Sequence, residues 1–171
     1  MSNSAPDQLR FLPVGLSVEG RDCLVVGGGS IGERKVQNLL KAGASVRIVS
    51  PTVTAGLREL ADRGEVTLVE GPFRVEQLGD AFLVVAATDS EELNASITGW
   101  AAEKGILACD ASSADRSRVI FGALLRVADA TVAVFTDGYD PARARVVRDR
   151  IGKAIGDDDG PSFSATHSRL E

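Results

Sequence analysis

The sequence predicts an α/β fold built on a parallel sheet. Three observations carry this. Short runs rich in Val, Ile and Leu recur along the first two thirds of the chain. Segments of helical length separate them. One junction between a run and a segment, "VVGGGSIGERK" (25–35), is crowded with glycine. Short buried strands that alternate with helices indicate βαβ units, whose strands run parallel because a crossover joins them.

The elements follow in chain order. "FLPVGL" (11–16) is apolar enough to add a strand near the start. "DCLVV" (22–26), "SVRIV" (45–49), "VTLVE" (66–70), "FLVVAA" (82–87) and "ILAC" (106–109) read as the strands of the sheet. Residues 31–42, 54–63 and 90–104 read as helices, whereas 72–80 is too short for one. Beyond about residue 113 the rhythm changes. "RVIFGALLRV" (118–127) and "ATVAVF" (130–135) read as two strands joined by "ADA". A helix follows from Pro141, a favoured first-turn residue, to about Ile155. Two strands and a helix cannot enclose a core, so they pack on the first domain or pair with a second copy. The expected organisation is a sheet domain at 1–113, a small α+β dimerisation element at 114–155 and a disordered tail at 156–171, whose "GDDDGPSFSATHSRLE" is polar and low in apolar residues.

Composition sets limits on function. With 171 residues, 44% of them hydrophobic and 25% charged, the chain has the make-up of a soluble globular protein. A net charge of −5 gives no global field for nucleic acid. No run approaches the ~20 apolar residues of a membrane span, and the N-terminal "MSNSAPDQLR" lacks the features of a secretory signal. The expected location is the cytoplasm. Cys23 and Cys109 lie in or beside apolar runs and read as reduced, buried thiols. The single histidine, His167, lies in the polar tail, so no histidine-based catalytic group or metal site is expected.

The chemistry sits on the glycines. Gly27-x-Gly29-x-x-Gly32, with Gly28 inside it, follows an apolar strand and opens a helix. In that context each glycine has a task. The first permits the tight turn, the second lets the backbone approach a pyrophosphate, and the third lets the helix pack closely on the strand. The helix N-terminus adds free N–H groups and partial positive charge. The context is that of a dinucleotide-binding turn. An acid about 20 residues further on usually receives the ribose 2′-hydroxyl. Here the place reads "VRIVSPT", with Ser50 able to hydrogen-bond the ribose and Pro51 and Thr52 shaping the adenosine wall. NAD and NADP both remain open on this ground, although Arg47 lies mid-strand rather than at a phosphate. Thr88 and Asp89, at the end of the fourth strand, either cap the next helix or touch the cofactor.

These stretches resemble the precorrin-2 dehydrogenase / sirohydrochlorin ferrochelatase family, which forms the N-terminal module of siroheme synthase. The residues that carry the likeness are "GRDCLVVGGGSIGERKVQNLLKAGASVRIVSP", "VEGPF", "LVVAATDSEELN" and "VAVFTDGYDPARARVVRDRI". The resemblance covers about residues 11–152. It implies a Rossmann-like domain, a swapped or interlocked homodimer, NAD as cofactor, and oxidation of precorrin-2 to sirohydrochlorin in siroheme or cobalamin biosynthesis. Some members also insert iron. It implies that Ser30 and Ile31 belong to the cofactor turn, and Pro51 and Thr52 to the adenosine contact. It places Ser112 where the family commonly has a catalytic aspartate, with Asp110 and Asp115 nearby. Asp110 or Ser112 is the candidate for lining the reaction site. The resemblance also implies a further helical region after the arginine-rich helix, where this sequence offers the tail from Gly156.

Precorrin-2 carries many carboxylates, which an acidic protein must meet with a local basic patch. Arg116 and Arg118 are candidates, as are Arg143, Arg145, Arg148, Arg150 and Lys153 on the last helix. Arginine suits carboxylates because its fork reaches both oxygens. The helical cations equally suit a solvated face and the helix dipole. "TDGYD" (136–140), with Gly138, is a candidate loop over the substrate. Two other readings fit the same chain. One is a non-enzymatic NAD-sensing module. The other is a chelatase without the redox step.

Overall fold

The computed structural model describes residues 9–156. The tail expected from residue 157 onward, His167 included, lies outside them. The described chain forms two compact units that meet between Phe121 and Gly122.

The first unit is a five-stranded parallel sheet with helices on both faces. β1 (Asp22–Gly28) leads through α1 (Ser30–Lys41) to β2 (Ser45–Val53), then through α2 (Ala55–Asp62) to β3 (Thr67–Glu70). A single 3₁₀ turn, Val75–Leu78, crosses back to β4 (Leu83–Ala86), and α3 (Glu91–Glu103) leads to β5 (Leu107–Asp110). The strand order is β3-β2-β1-β4-β5. The topological switch point, where such sheets bind ligands beyond their carboxyl ends, therefore lies between β1 and β4.

Strand alternation divides the core in two. Cys23 and Val25 of β1 face one side with Val36, Leu39, Ile48, Leu57 and Val85. Leu24 and Val26 face the other with Val49, Val84, Ile97 and Ala108. Both faces of β1 are buried, so its sequence is continuously apolar rather than alternating.

Two expectations are corrected here. Residues 11–16 form no strand, because Leu12 and Val14 find no sheet edge and stay exposed. The strand expected at 118–127 begins only at Ala123. Before it, the N–H groups of Arg118 and Val119 both donate to the Ala108 carbonyl (2.9 and 3.1 Å). Val119 and Phe121 then pack on the first core, and the Lys35 ammonium lies 3.9 Å from the centre of the Phe121 ring. That packing keeps 114–121 with the sheet unit.

The second unit holds β6 (Ala123–Val127) and β7 (Ala130–Val134), an antiparallel pair, and α4 (Pro141–Gly156). Gly152 of α4 packs on Leu125 of β6. The Asp140 carboxylate accepts the Arg143 N–H at 2.8 Å and caps α4.

Candidate functional site

The glycine turn closes β1 and opens α1. Gly27 has φ +113°, a region that disfavours a side chain. A Cβ there would lie 2.2 Å from the Ala87 carbonyl oxygen beyond β4. A Cβ on Gly28 would meet the Thr52 oxygen at 2.3 Å, and one on Gly32 the Gly27 oxygen at 2.2 Å. These three glycines are required by the chain's own packing. Gly29 differs, because a Cβ there would meet nothing within 4 Å. Gly29 is also the N-cap of α1 and supplies no side-chain cap. The first helical bond runs from Glu33 N–H to the Gly29 oxygen, so the N–H groups of Ser30, Ile31 and Gly32 precede it. Open space beside uncapped N–H groups is what a pyrophosphate needs, and the turn fits one. Ile31 is 46% exposed at its rim.

The end of β2 curls back along this turn. Val53 pairs with Gly28, and the Thr54 N–H donates to the Gly28 oxygen at 3.0 Å. Pro51 and Thr52 are exposed. Ser50 is buried, and its hydroxyl donates to the Thr52 oxygen at 2.6 Å rather than outward to a ribose. Arg47 grips Asp22 through Nε and a terminal nitrogen (2.9 and 2.7 Å) and donates to the Gln77 oxygen (3.1 Å). It is committed away from the turn.

On the other side of β1, the ends of β4 and β5 are stitched together. Asn94 of α3 is buried. Its Oδ1 accepts from the Thr88 N–H (3.0 Å) and hydroxyl (2.7 Å), and its Nδ2 donates to the Thr88 oxygen (3.1 Å) and Ser112 Oγ (3.3 Å). Ser112 Oγ donates to Asp110 Oδ1 at 2.6 Å. Asp110 Oδ1 also accepts the Ser112 N–H (2.8 Å), and Oδ2 accepts from Arg116 Nε (2.6 Å). The Asp110 side chain is fully buried. Burial pushes its pKa up, but hydrogen bonds from Ser112 and Arg116 and the charge of Arg116 outweigh it and hold the carboxyl below its ordinary value.

These contacts revise several expected roles. Ser90, not Thr88 or Asp89, caps α3, with its Oγ accepting from the Leu93 N–H at 3.1 Å. Thr88 is tied to Asn94, while Asp89 stands exposed. Asp110 is a poor proton acceptor, since both its oxygens are already engaged. Its geometry suits it to hold Ser112 and Arg116 in place. Arg116 spends one edge of its guanidinium on Asp110. Arg118 is exposed. Asp115 pairs with Arg10. Gly138 (φ +80°) and the exposed Arg145 lie in the second unit, beyond the sheet unit that carries the turn.

Sequence reasoning missed Asn94 as an organiser. "ATDSEELN" contains it, but nothing local marks its amide as the link between two strand ends. Cys23 and Cys109 are free and buried, and burial raises the Cys23 thiol to about 11. Neither thiol is a nucleophile at neutral pH.

Known proteins resemble this chain in sequence and fold. The NAD(P)-binding family model matches residues 14–123. Siroheme synthase of Nitrosococcus oceani is 34% identical over 147 residues, 86% of this chain and 31% of that protein. Siroheme synthase of Chromobacterium violaceum is 37% identical, with the same coverage of 86% and 31%. The chain thus spans about a third of the length of these relatives. The solved structure of SirC, a precorrin-2 dehydrogenase, superposes with a TM-score of 0.74 at 26% identity, over 84% of this chain and 71% of that one. The family-model match over residues 14–123, on a chain with this glycine turn and strand order, establishes that the chain belongs to the NAD(P)-binding family.

Proposed function

We propose that this chain oxidises precorrin-2 to sirohydrochlorin with NAD+ as hydride acceptor. The observation that carries the reading is the likeness to SirC across 84% of this chain and 71% of that one, on a fold whose glycine turn is complete. When bound, NAD+ supplies the redox chemistry, and the protein supplies position.

The turn at Gly27, Gly28, Gly29 and Gly32 would hold the pyrophosphate, with Ser30 and Ile31 at its rim and Pro51 and Thr52 toward the adenosine. The ends of β4 and β5 would form the floor on which the nicotinamide is presented. Thr88, Asn94 and Ser112 fix that floor, and Asp89 borders it. Asp110 acts through Ser112 and Arg116 as a positioning residue. Ser112 Oγ, which donates to Asp110 and accepts from Asn94 and Arg116, is a fixed part of that floor, and solvent takes the proton released with the hydride. Arg116 keeps a free edge for one substrate carboxylate, and Arg118 takes another. The second unit, which carries Gly138 and Arg145, serves as the dimerisation element. Its exposed Leu124, Val146 and Ile155 support that role. A cytoplasmic enzyme with reduced thiols completes the picture. Metal insertion is not part of the proposal, because the nearest buried carboxylate is already spent on Arg116.

The test is a coupled absorbance assay. Precorrin-2 with NAD+ should give the sirohydrochlorin spectrum at a rate proportional to protein. No turnover with either NAD+ or NADP+ overturns the reading.

A further inference from the structure

The end of β2 lacks the acid that usually receives the ribose, but the fold delivers another acid to that place. Glu70 is the last residue of β3, and the parallel register sets it beside Ser50. The Gly71 N–H seals the pairing by donating to the Ser50 oxygen at 3.1 Å. The Glu70 carboxylate takes both terminal nitrogens of Arg58, at 2.6 and 2.7 Å. Arg58 lies one turn into α2, its N–H bonded to the oxygen of Thr54, and the Thr54 N–H in turn reaches Gly28 inside the glycine turn. Glu70 and Arg58 therefore come from the two elements that flank the end of β2. Both side chains are about half exposed, at 54% and 43%, so a ligand can reach them.

The chemistry of the pair is directional. The fork of Arg58 lowers the pKa of Glu70 and keeps it ionised at neutral pH. Each carboxylate oxygen retains a lone pair beyond the one that Arg58 uses, so a hydroxyl can still donate to it. A phosphate cannot donate and brings its own negative charge. Arg58 is a guanidinium beside the end of β2 that would meet a 2′-phosphate, and Glu70 holds it.

We infer that Glu70, clasped by Arg58 beside Ser50, is the acid that reads the adenosine ribose and selects NAD+ against NADP+. The inference rests on the dinucleotide reading of the glycine turn and adds its specificity. Glu70 accepts a hydrogen bond from the 2′-hydroxyl of NAD+. For NADP+ it repels the 2′-phosphate and withholds Arg58 from it.

Calorimetric titration of NAD+ and NADP+ separately into the full chain, without tetrapyrrole, tests this. The wild type should prefer NAD+. Glu70→Ala should weaken NAD+ and tighten NADP+ by about tenfold each, as the lost hydrogen bond and the freed charge-assisted fork imply. Arg58→Ala should leave NADP+ weak, and Glu70→Ala with Arg58→Ala should lose the NADP+ gain. An unchanged NAD+/NADP+ ratio in Glu70→Ala, with or without a lower melting temperature, makes the pair a mere tether and overturns the inference alone. A gain in NADP+ that survives Arg58→Ala, or a wild type that prefers NADP+, also overturns it. A wild type that binds neither dinucleotide overturns the inference and the cofactor reading together.

Discussion

Gly29 and Gly32 stand three residues apart, yet they answer to different demands. A methyl group on Gly29 meets only open space, whereas one on Gly32 drives into a backbone oxygen 2.2 Å away. Gly29→Ala should therefore melt like the wild type while its NAD+ affinity falls by about tenfold or more, since the methyl occupies the pyrophosphate's approach. Gly32→Ala should lose about 1–3 kcal/mol of stability, the usual cost of forced overpacking. Melting curves paired with NAD+ titrations separate the two. Asp110 gives a second residue-scale prediction. Its folded pKa lies below the ordinary 3.8, so the unfolded chain binds more protons in the interval between the two values. Its stabilising contribution is complete above that ordinary value and disappears as the pH falls through the folded one. Asp110→Asn should flatten the acid limb of the stability curve measured by denaturant titration. Glu70 belongs to the same scale: it sits in the "VEGPF" stretch that carries the resemblance, but only the strand register sets it beside Ser50.

Each helix starts in a way its neighbours explain. Thr54 caps α2 and Ser90 caps α3 through side-chain oxygens that accept backbone N–H groups at 3.2 and 3.1 Å. Thr54→Ala and Ser90→Ala should each cost about 1 kcal/mol in urea unfolding. By contrast α1 starts without a side-chain cap, at the place where a ligand would serve as one. Asn94 ties α3 to the ends of β4 and β5. Asn94→Leu should cost about 1–3 kcal/mol, because it strands the Thr88 N–H, and it should slow turnover more than it weakens NAD+. The alternation of strands and helices was legible in the sequence, because hydrophobic period and glycine placement are local properties. The missing strand at 11–16 and the late start of β6 were not. Both depend on whether a neighbouring edge is available to pair with.

For the molecule as a whole, the separation into two units governs what can be tested. The second unit exposes Leu124, Val146 and Ile155 in the single chain. If the proposed dimer and activity hold, Leu124→Glu combined with Val146→Glu should shift the mass from dimer to monomer in light scattering and sharply reduce precorrin-2 oxidation while NAD+ binding persists. An unchanged mass would remove the dimerisation role proposed for this unit. The expected boundary after residue 113 and the observed one after Phe121 differ for a packing reason. Val119 and Phe121 find the core of the sheet unit, and Lys35 of α1 covers the Phe121 ring. Sequence alone determined the parallel α/β class, the glycine turn and its ligand class, because each is written in residues that are close along the chain. Only the tertiary structure decided that Asp110 is spent on Arg116, that Ser90 rather than Asp89 caps α3, and that Glu70 stands beside Ser50. Side-chain partners are chosen by register between strands and by helix packing, and residues 20 apart in sequence become neighbours only when the sheet forms.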